Sequence, residues 1–481
     1  MPGGPLFFAH AVARCPVPVI VLLADGARAD ALDGELAAFP ALRRLRSEGG
    51  QHTITSVFPS VTGPAYTPFL LGRFPGGVGI PALRWYDRTH ERCAWPDYAR
   101  SYVGWQMGQI DADLSPAAPT VFELVPHSLA AMSVITRGLA SDRQIGGLTL
   151  RSAARAAVTH FRGEPARWLD VDRDVGDEVV RRIADERPDY LFAALTGVDK
   201  ASHARGAADV MVGDALGIVD DVAGRVRAVA ERGGWWSDTH LWIVSDHGHS
   251  AVHTHEDLAG TVASFGLRTI AHPFTFAVAP DVAVMVSGNA MAHLYVDLAS
   301  RQRAWWPALA GGWEPLASRL LALPATDLLL LPESPDRCVI RSAARGGAVV
   351  ERRAGVLHYR RAGGDPLGIG RDLAGDADAM HDALRETEYP DAVVQILALA
   401  GSARAGDIIL SAAPGWDFRS RYEPIPHRSA HGALHRAHML VPLLTSRPPS
   451  RRPRRTTDLF ASALAALGIV PPVDLDGASF V

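Results

Sequence analysis

His240-Leu-Trp-Ile-Val-Ser-Asp-His-Gly248 is a short apolar run that ends on an acidic residue and a histidine. A run of this length, rich in β-branched and aromatic side chains, reads as a strand buried on both faces, and its polar end marks where the chain leaves the core. Similar runs occur at Val17 to Ala24, Met132 to Thr136, Tyr190 to Leu195, Ile408 to Ser411 and Met439 to Leu444. Helical patterns lie between several of them. The clearest is Asp214 to Arg232, where Leu216, Val219, Val222, Val226 and Val229 make one apolar stripe. Alternating strands and helices predict an α/β layered domain with a mostly parallel sheet. Ligands in such folds sit outside the carboxyl ends of the strands, which directs attention to Asp25, Thr196 to Asp199, and Asp246.

The pattern changes from about Gly266 to Ala405. Short extended runs, Val339 to Arg341, Ala348 to Arg352 and Val356 to Arg360, are separated there by Gly, Pro and Arg-rich turns. This predicts a core built from residues 1–265 and 406–481, with 266–405 as an inserted, partly β cap. The chain is expected to re-enter the core near Asp407, and Thr457 to Leu467 to form a final surface helix. The basic, Pro-rich loop from Ser446 to Arg455 suggests no chemistry.

The chain has 481 residues, 48% hydrophobic and 21% charged, enough for one large core with an inserted lobe. A formal net charge of −4 offers no summed positive field for counterion release, so a stable nucleic acid partner is not expected. Cys15, Cys93 and Cys338 are far apart and odd in number, which excludes a disulfide framework or a Cys-x-x-Cys site and suits reduced thiols in a cytoplasm. Val17 to Ala24 is too short to span a bilayer, and Met1-Pro-Gly-Gly-Pro5 lacks the basic segment of a secretory signal. A cytoplasmic location is therefore expected.

Four separated places carry metal-ligating side chains: Asp25, the pair Asp199 and His203, the pair Asp246 and His247, and His431. Zinc sites that keep a position open for substrate use about three protein ligands, so six such residues make two open sites. Two cations about 4 Å apart suit an in-line displacement at phosphorus. Each residue alone has a plainer reading. Asp25 and Asp246 can cap helices, His203 can be a solvated helix residue, and His431 shares its loop with His427, His435 and His438. The combination carries the specificity. A nucleophile is available at Thr62, within Phe58-Pro-Ser-Val-Thr-Gly-Pro64, where a turn should open a helix. Ser60 and Thr67 compete with it, and Thr62 serves equally well as an N-cap on spacing alone.

The ordered set Asp25, Thr62, Asp199/His203, Asp246/His247 and His431 resembles the alkaline phosphatase superfamily, and specifically its nucleotide pyrophosphatase/phosphodiesterase branch. Phe58-Pro-Ser-Val-Thr62, Leu71-Gly-Arg-Phe-Pro75 and Gly79-Ile80 are similar to that branch's nucleophile region. The resemblance covers about residues 17–257 and 405–481. It implies a three-layer core with a mostly parallel sheet, a small phosphate ester as substrate, and two divalent cations, zinc by their ligand set. Asp199, His203 and His431 would hold one cation and Asp25, Asp246 and His247 the other, with the Thr62 hydroxyl ligated between them and attacking phosphorus. The branch carries an asparagine shortly after Gly-Ile that holds a phosphoryl oxygen, whereas Leu83 stands at the matching place here; Arg84 is a neighbouring candidate for that task, and equally well points to solvent or pairs with Asp87. His249, His253 and His255 crowd the loop after the second metal motif; they can line the pocket, but solvated loop residues are the plainer and preferred reading.

Three alternatives stay open. A phosphomonoesterase or a phosphonate hydrolase would share the metal set, and a non-catalytic pseudoenzyme would keep the fold while binding a ligand. A formylglycine sulfatase is disfavoured, because Cys15-Pro-Val-Pro-Val lacks the required arginine and Thr62 cannot form the aldehyde.

Overall fold

Strand Val19–Ala24 is buried along its whole length. Val19, Val21 and Leu23 pack on one face among Phe69, Phe122 and Phe460. Ile20, Leu22 and Ala24 pack on the other among Leu42, Val179 and Val219. Burial on both faces explains why the run does not alternate with polar residues. The computed structural model describes residues 18–32, 36–89, 99–146, 164–273, 275, 277–419, 423 and 426–481.

Val19–Ala24 lies centrally in a seven-stranded sheet ordered Gln51–Thr55, Leu440–Thr445, His240–Val244, Val19–Ala24, Tyr190–Leu195, Ser128–Ala131 and Gln144–Ile145. Val19 pairs in parallel with Tyr190 on one side and His240 on the other. Leu440–Thr445 alone runs opposite to the other six strands, antiparallel to Gln51–Thr55 on one side and His240–Val244 on the other. Helices Pro40–Glu48, Ala166–Glu186 and Val210–Arg232 cover one face. Helices Thr67–Leu71, Val121–Leu124 and Asp458–Ala466 cover the other. This is the three-layer α/β core that the sequence predicts.

A second sheet of nine strands takes most of the segment from 269 to 412. It is antiparallel except where Thr269–Ala271 joins Val282–Ser287. Helix Trp306–Leu321 packs on one face, and helices Ala377–Leu384 and Ala392–Ala400 pack on the other. That second cluster also receives Val57, Phe58 and Ala65 from the Thr62 segment, so the two sheets share a packed seam.

Three expectations are corrected. Ile408–Ala412 pairs with Met291–Tyr295 and Thr326–Ser334 in the second sheet, and the chain re-enters the first sheet only with Leu440–Thr445. A wholly apolar run fits the interior of either sheet, so its sequence alone does not select one. The strand expected at Met132 to Thr136 is Ser128–Ala131, and it stops where Met132 takes a left-handed φ of 52°. Helix Asp458–Ala466 is not a surface helix. Leu459, Phe460, Ala463 and Leu464 are buried, and the tail folds over it, with the Phe480 amide donating to Ser462 Oγ at 2.9 Å. Cys338 is buried and unpaired, while Cys15 and Cys93 lie outside the described residues. Among the described residues no helix is long and apolar enough to cross a membrane.

Candidate metal and nucleophile site

Asp25 and Asp246 emerge from the carboxyl ends of the adjacent strands Val19–Ala24 and His240–Val244. Both are buried. The next strand, Tyr190–Leu195, leads into helix Gly197–Arg205, which carries Asp199 in its first turn and His203 one turn later. Buried Asp172 fixes the start of that helix by accepting from the Thr196 and Gly197 amides at 2.9 and 2.7 Å. His431 follows the short strand Ser429–Ala430. The turn Gly288-Asn289-Ala290 of the second sheet holds it in place: the His431 amide donates to Gly288 O and the Ala290 amide to His431 O.

The histidines share one orientation. His203 Nδ1 donates to Ser429 O at 2.9 Å, His431 Nδ1 to Ser60 O at 2.8 Å and His247 Nδ1 to Gly248 O at 3.2 Å. A neutral imidazole with Nδ1 protonated presents a lone pair at Nε2, and backbone carbonyls of this kind set the tautomer of metal-binding histidines. His203 Nε2 and His431 Nε2 stand 3.1 and 3.6 Å from Asp199 Oδ1. His247 Nε2 stands 3.4 Å from Asp25 Oδ1 and 3.5 Å from Asp246 Oδ2. The His247 and His431 rings stack with centroids 3.6 Å apart and link the two groups.

Thr62 lies in the turn ahead of the short helices Pro64–Tyr66 and Thr67–Leu71. Its Oγ1 donates to Asp25 Oδ1 at 3.3 Å and lies 3.2 Å from His247 Nε2. It is not the residue capping either helix. Ser60 Oγ donates to Ala433 O, and Thr67 Oγ1 to Pro64 O and Arg73 O, so both competing hydroxyls are engaged with backbone.

Of the four histidines in the 427–438 loop, His431 joins the cluster directly. His435 Nε2 meets Glu388, and His438 is bound to Ser250 and the Ala433 amide. His427 contacts Asn289, with its ring 4.3 Å from that of His203. Of the three histidines after Gly248, His253 is exposed, and His255 Nδ1 lies 2.8 Å from Asp417 Oδ1. His249 departs from the solvated-loop expectation. It is fully buried, with Nε2 at 3.0 Å from Asp199 Oδ1. Strand Ser429–Ala430 pairs antiparallel with Ser250–His255, Ala430 opposite Ser250, and the register extended by one step sets His431 across from His249. Nothing near His249 in the sequence announces that pairing.

Leu83 packs against the Thr62 turn: its Cδ1 would lie 3.7 Å from a Cβ placed on Gly63, with Ile110 and Val134 just beyond. Arg84 opens strand Arg84–Tyr86, and its Nη1 lies 3.6 Å from Glu423 Oε1. No described hydrogen bond joins it to Thr62.

Two groups therefore have ligand atoms within 4.8 Å of one another: Asp25, Asp246 and His247, and Asp199, His247, His249 and His431. His203 approaches Asp199 from outside the second group. The residues fit divalent cations. Asp246 Oδ2 is buried without a hydrogen-bond partner, and imidazole lone pairs converge on a carboxylate oxygen. Burial, reinforced by Asp246 and Asp199, raises the Asp25 carboxyl well above its usual range. Burial, with Asp199, also raises Asp246. At Asp199 burial is outweighed by Lys200, whose Nζ lies 2.8 Å from Oδ2, and by His203, so that carboxyl is held well below its usual range. Burial depresses His249 to about 3 and keeps it neutral.

Buried carboxylates and imidazoles that could hold divalent cations thus gather at the carboxyl ends of a parallel sheet, with a hydroxyl among them. The model of the type I phosphodiesterase/nucleotide pyrophosphatase family matches residues 19–302, and the chain belongs to that family. Among curated proteins none matches the sequence significantly. The fold is similar to that of phosphonoacetate hydrolase from Sinorhizobium meliloti in complex with phosphonoformate, with 15% identity, a TM-score of 0.56, and coverage of 94% of this chain and 96% of that one. It is also similar to human ectonucleotide pyrophosphatase/phosphodiesterase 5, with 14% identity, a TM-score of 0.56, and coverage of 96% and 97%. The murine counterpart, an inactive threonine-to-alanine form in complex with AMP, matches at 14% identity and a TM-score of 0.54, with the same coverage.

Proposed function

We propose that the chain hydrolyses a small phosphate ester, a phosphodiester or nucleotide pyrophosphate first, with Thr62 as nucleophile at a site for two divalent cations. The observation that carries this reading is the placement of Thr62 Oγ1 at 3.3 Å from Asp25 Oδ1 and 3.2 Å from His247 Nε2. Asp25, Asp246 and His247 would hold one cation, and Asp199, His203 and His431 the other. Mixed carboxylate and imidazole ligands favour zinc over magnesium or calcium. When bound, the cations neutralise the phosphoryl oxygens and favour the ionised hydroxyl.

Asp25 positions the Thr62 hydroxyl by accepting its proton in a hydrogen bond. Thr62 Oγ then attacks phosphorus in line with the leaving oxygen, its proton passes to solvent, and the P–O bond to the leaving group breaks. Water then attacks phosphorus from the face the leaving group has vacated, opposite Thr62 Oγ, and loses a proton to solvent; the bond from phosphorus to Thr62 Oγ breaks, and Oγ takes a proton back from solvent. Buried His247 and His431 exclude bulk water from the inner face of the site.

A second reading, hydrolysis of a monoester or a phosphonate, is favoured by Leu83, which gives the Thr62 turn an apolar neighbour where the family places a donor. The deciding experiment is turnover of an aryl phosphodiester beside the matching monoester and a phosphonate, each with and without added zinc. Diester turnover that requires metal and disappears in Thr62→Ala supports the reading. Metal-independent turnover, or none for any substrate, sinks it.

A further inference from the structure

We propose that His249 is a ligand of the Asp199 cation, giving that ion four protein ligands, Asp199, His203, His249 and His431. The proposal rests on the two-cation reading above.

Ser429 Oγ donates its only proton to Ser202 O at 2.7 Å. Its contact with His249 Nδ1 at 3.1 Å must therefore have the imidazole as donor. The Nδ1 proton leaves a lone pair at Nε2, and that lone pair faces Asp199 Oδ1 at 3.0 Å. Two acceptors at this separation repel unless a cation lies between or beside them. The same conflict recurs twice on the same carboxylate oxygen, from His203 Nε2 at 3.1 Å and His431 Nε2 at 3.6 Å. One divalent ion resolves all three contacts.

The backbone makes room for this side chain. Gly26 has a φ of +77°, and a Cβ there would stand 2.8 Å from His249 Nε2 and 3.1 Å from Asp199 Cα. Gly248 likewise lies where a Cβ would meet Ala437 O at 2.2 Å, which holds His247 and His249 on a closely packed turn. The His249 ring stands at 4.8 Å from that of His203 and 5.0 Å from that of His431, edge-on to both, and the ligand atoms of Asp199, His249 and His431 lie within 4.8 Å of one another.

The consequence is an unequal pair of sites. Three imidazoles and one carboxylate nearly complete the shell of the Asp199 ion, whereas the Asp25 side has three protein ligands and the Thr62 hydroxyl. The first ion should be held tightly and favour zinc or cobalt. The second should exchange more readily.

The test uses cobalt as probe, on the full chain. The parent should bind two ions per chain in separate tight and weak phases, and its cobalt form should show four strongly shifted imidazole N–H signals, from His203, His247, His249 and His431. His249→Met should weaken the tight phase by roughly ten- to a hundredfold, the usual scale for a perturbed metal shell, and change the visible absorption of that ion. His249→Gln keeps a donor for Asp199 but is a poor ligand, and it should not restore the parent behaviour. Unchanged affinity and spectrum in His249→Met, full recovery in His249→Gln, or three shifted signals in the parent would each overturn the proposal. The parent signal count needs no variant to fold. A parent that binds no metal would overturn the two-cation reading itself, whereas a parent that binds two ions alongside an indifferent His249→Met would overturn this proposal alone.

Discussion

The two sides of the site hold carboxylates of opposite character. Asp25 and Asp246 face each other in the core with His247 between them, and burial makes both reluctant to ionise. Asp199 is equally buried, yet Lys200 on one oxygen and imidazoles on the other keep it ionised. The acidic side depends on an added cation for its charge balance, whereas the imidazole side is balanced in part by its own residues. Thr62 sits on the acidic side, where an incoming cation changes the local field most. On the proposed reading the acidic side would activate the nucleophile and the imidazole side would anchor.

The largest expected effect tests that assignment directly. Thr62→Ala should lower turnover by at least about a thousandfold, on the order expected for losing an activated nucleophile, while both cations stay bound by metal analysis. Residual activity within a few-fold of the parent would move the nucleophile elsewhere. Asp246→Ala should come next, costing one ion per chain and roughly a hundredfold or more in kcat/KM, because the remaining ion neutralises only part of the transition-state charge. Loss of both ions would show the sides to be one cooperative unit.

Stability gives a smaller effect with opposite signs on the two sides. A carboxyl whose folded pKa is raised binds more protons folded than unfolded, so its contribution falls as pH rises above about 4. Metal-free Asp25→Asn should therefore melt above the metal-free parent, by several degrees at pH 7 and by little at pH 4. A carboxyl with a lowered folded pKa contributes stability above the unfolded value and loses it as pH falls through the folded one. Asp199→Asn should therefore melt below the parent at pH 7, and the deficit should shrink below about pH 4. The measurement is the melting temperature of both variants against pH after chelation. The same sign for both would erase the contrast. Asp172, raised by burial to about 7, adds a pH dependence that zinc should not remove, because its oxygens are held by the Thr196 and Gly197 amides.

The two sides also differed in how far the sequence disclosed them. Asp25 and Asp246-His247 lie just past the ends of apolar strands, so one local pattern marks both strand and candidate ligand. Asp199 and His203 share a helix face at a spacing of four, which is local as well. His249 depends on the pairing of Ser250 with Ala430, residues far apart in the chain, and no periodicity foretells such a register. The same limit explains Ile408–Ala412, whose burial was legible but whose sheet was not. It also explains helix Asp458–Ala466, whose covering is supplied by a tail without a strong pattern of its own.

The smallest expected effects concern the oxygen that neither side neutralises. The family resemblance left Arg84 as a candidate for that task. Its guanidinium instead lies 3.6 Å from Glu423, which accepts from Asn289 at 2.9 Å, while Leu83 touches the Thr62 turn. Arg84→Ala should therefore change kcat/KM by less than about threefold, equally for a monoester and a diester, the small effect of a partly exposed ion pair. A tenfold or larger loss that falls mainly on the more highly charged substrate would restore it as a transition-state donor. Leu83→Asn should act in the other direction. An amide in place of the Leu83 methyls would stand beside Gly63, close enough to offer a donor to a phosphoryl oxygen bound at Thr62. The expected gain in diester turnover is several-fold, below the full value of a preorganised donor, because the walls formed by Ile110 and Val134 were not built around an amide. A gain for the diester with none for the monoester would identify Leu83 as the residue that narrows the reaction. Equal losses for both would show that the apolar wall itself positions the substrate.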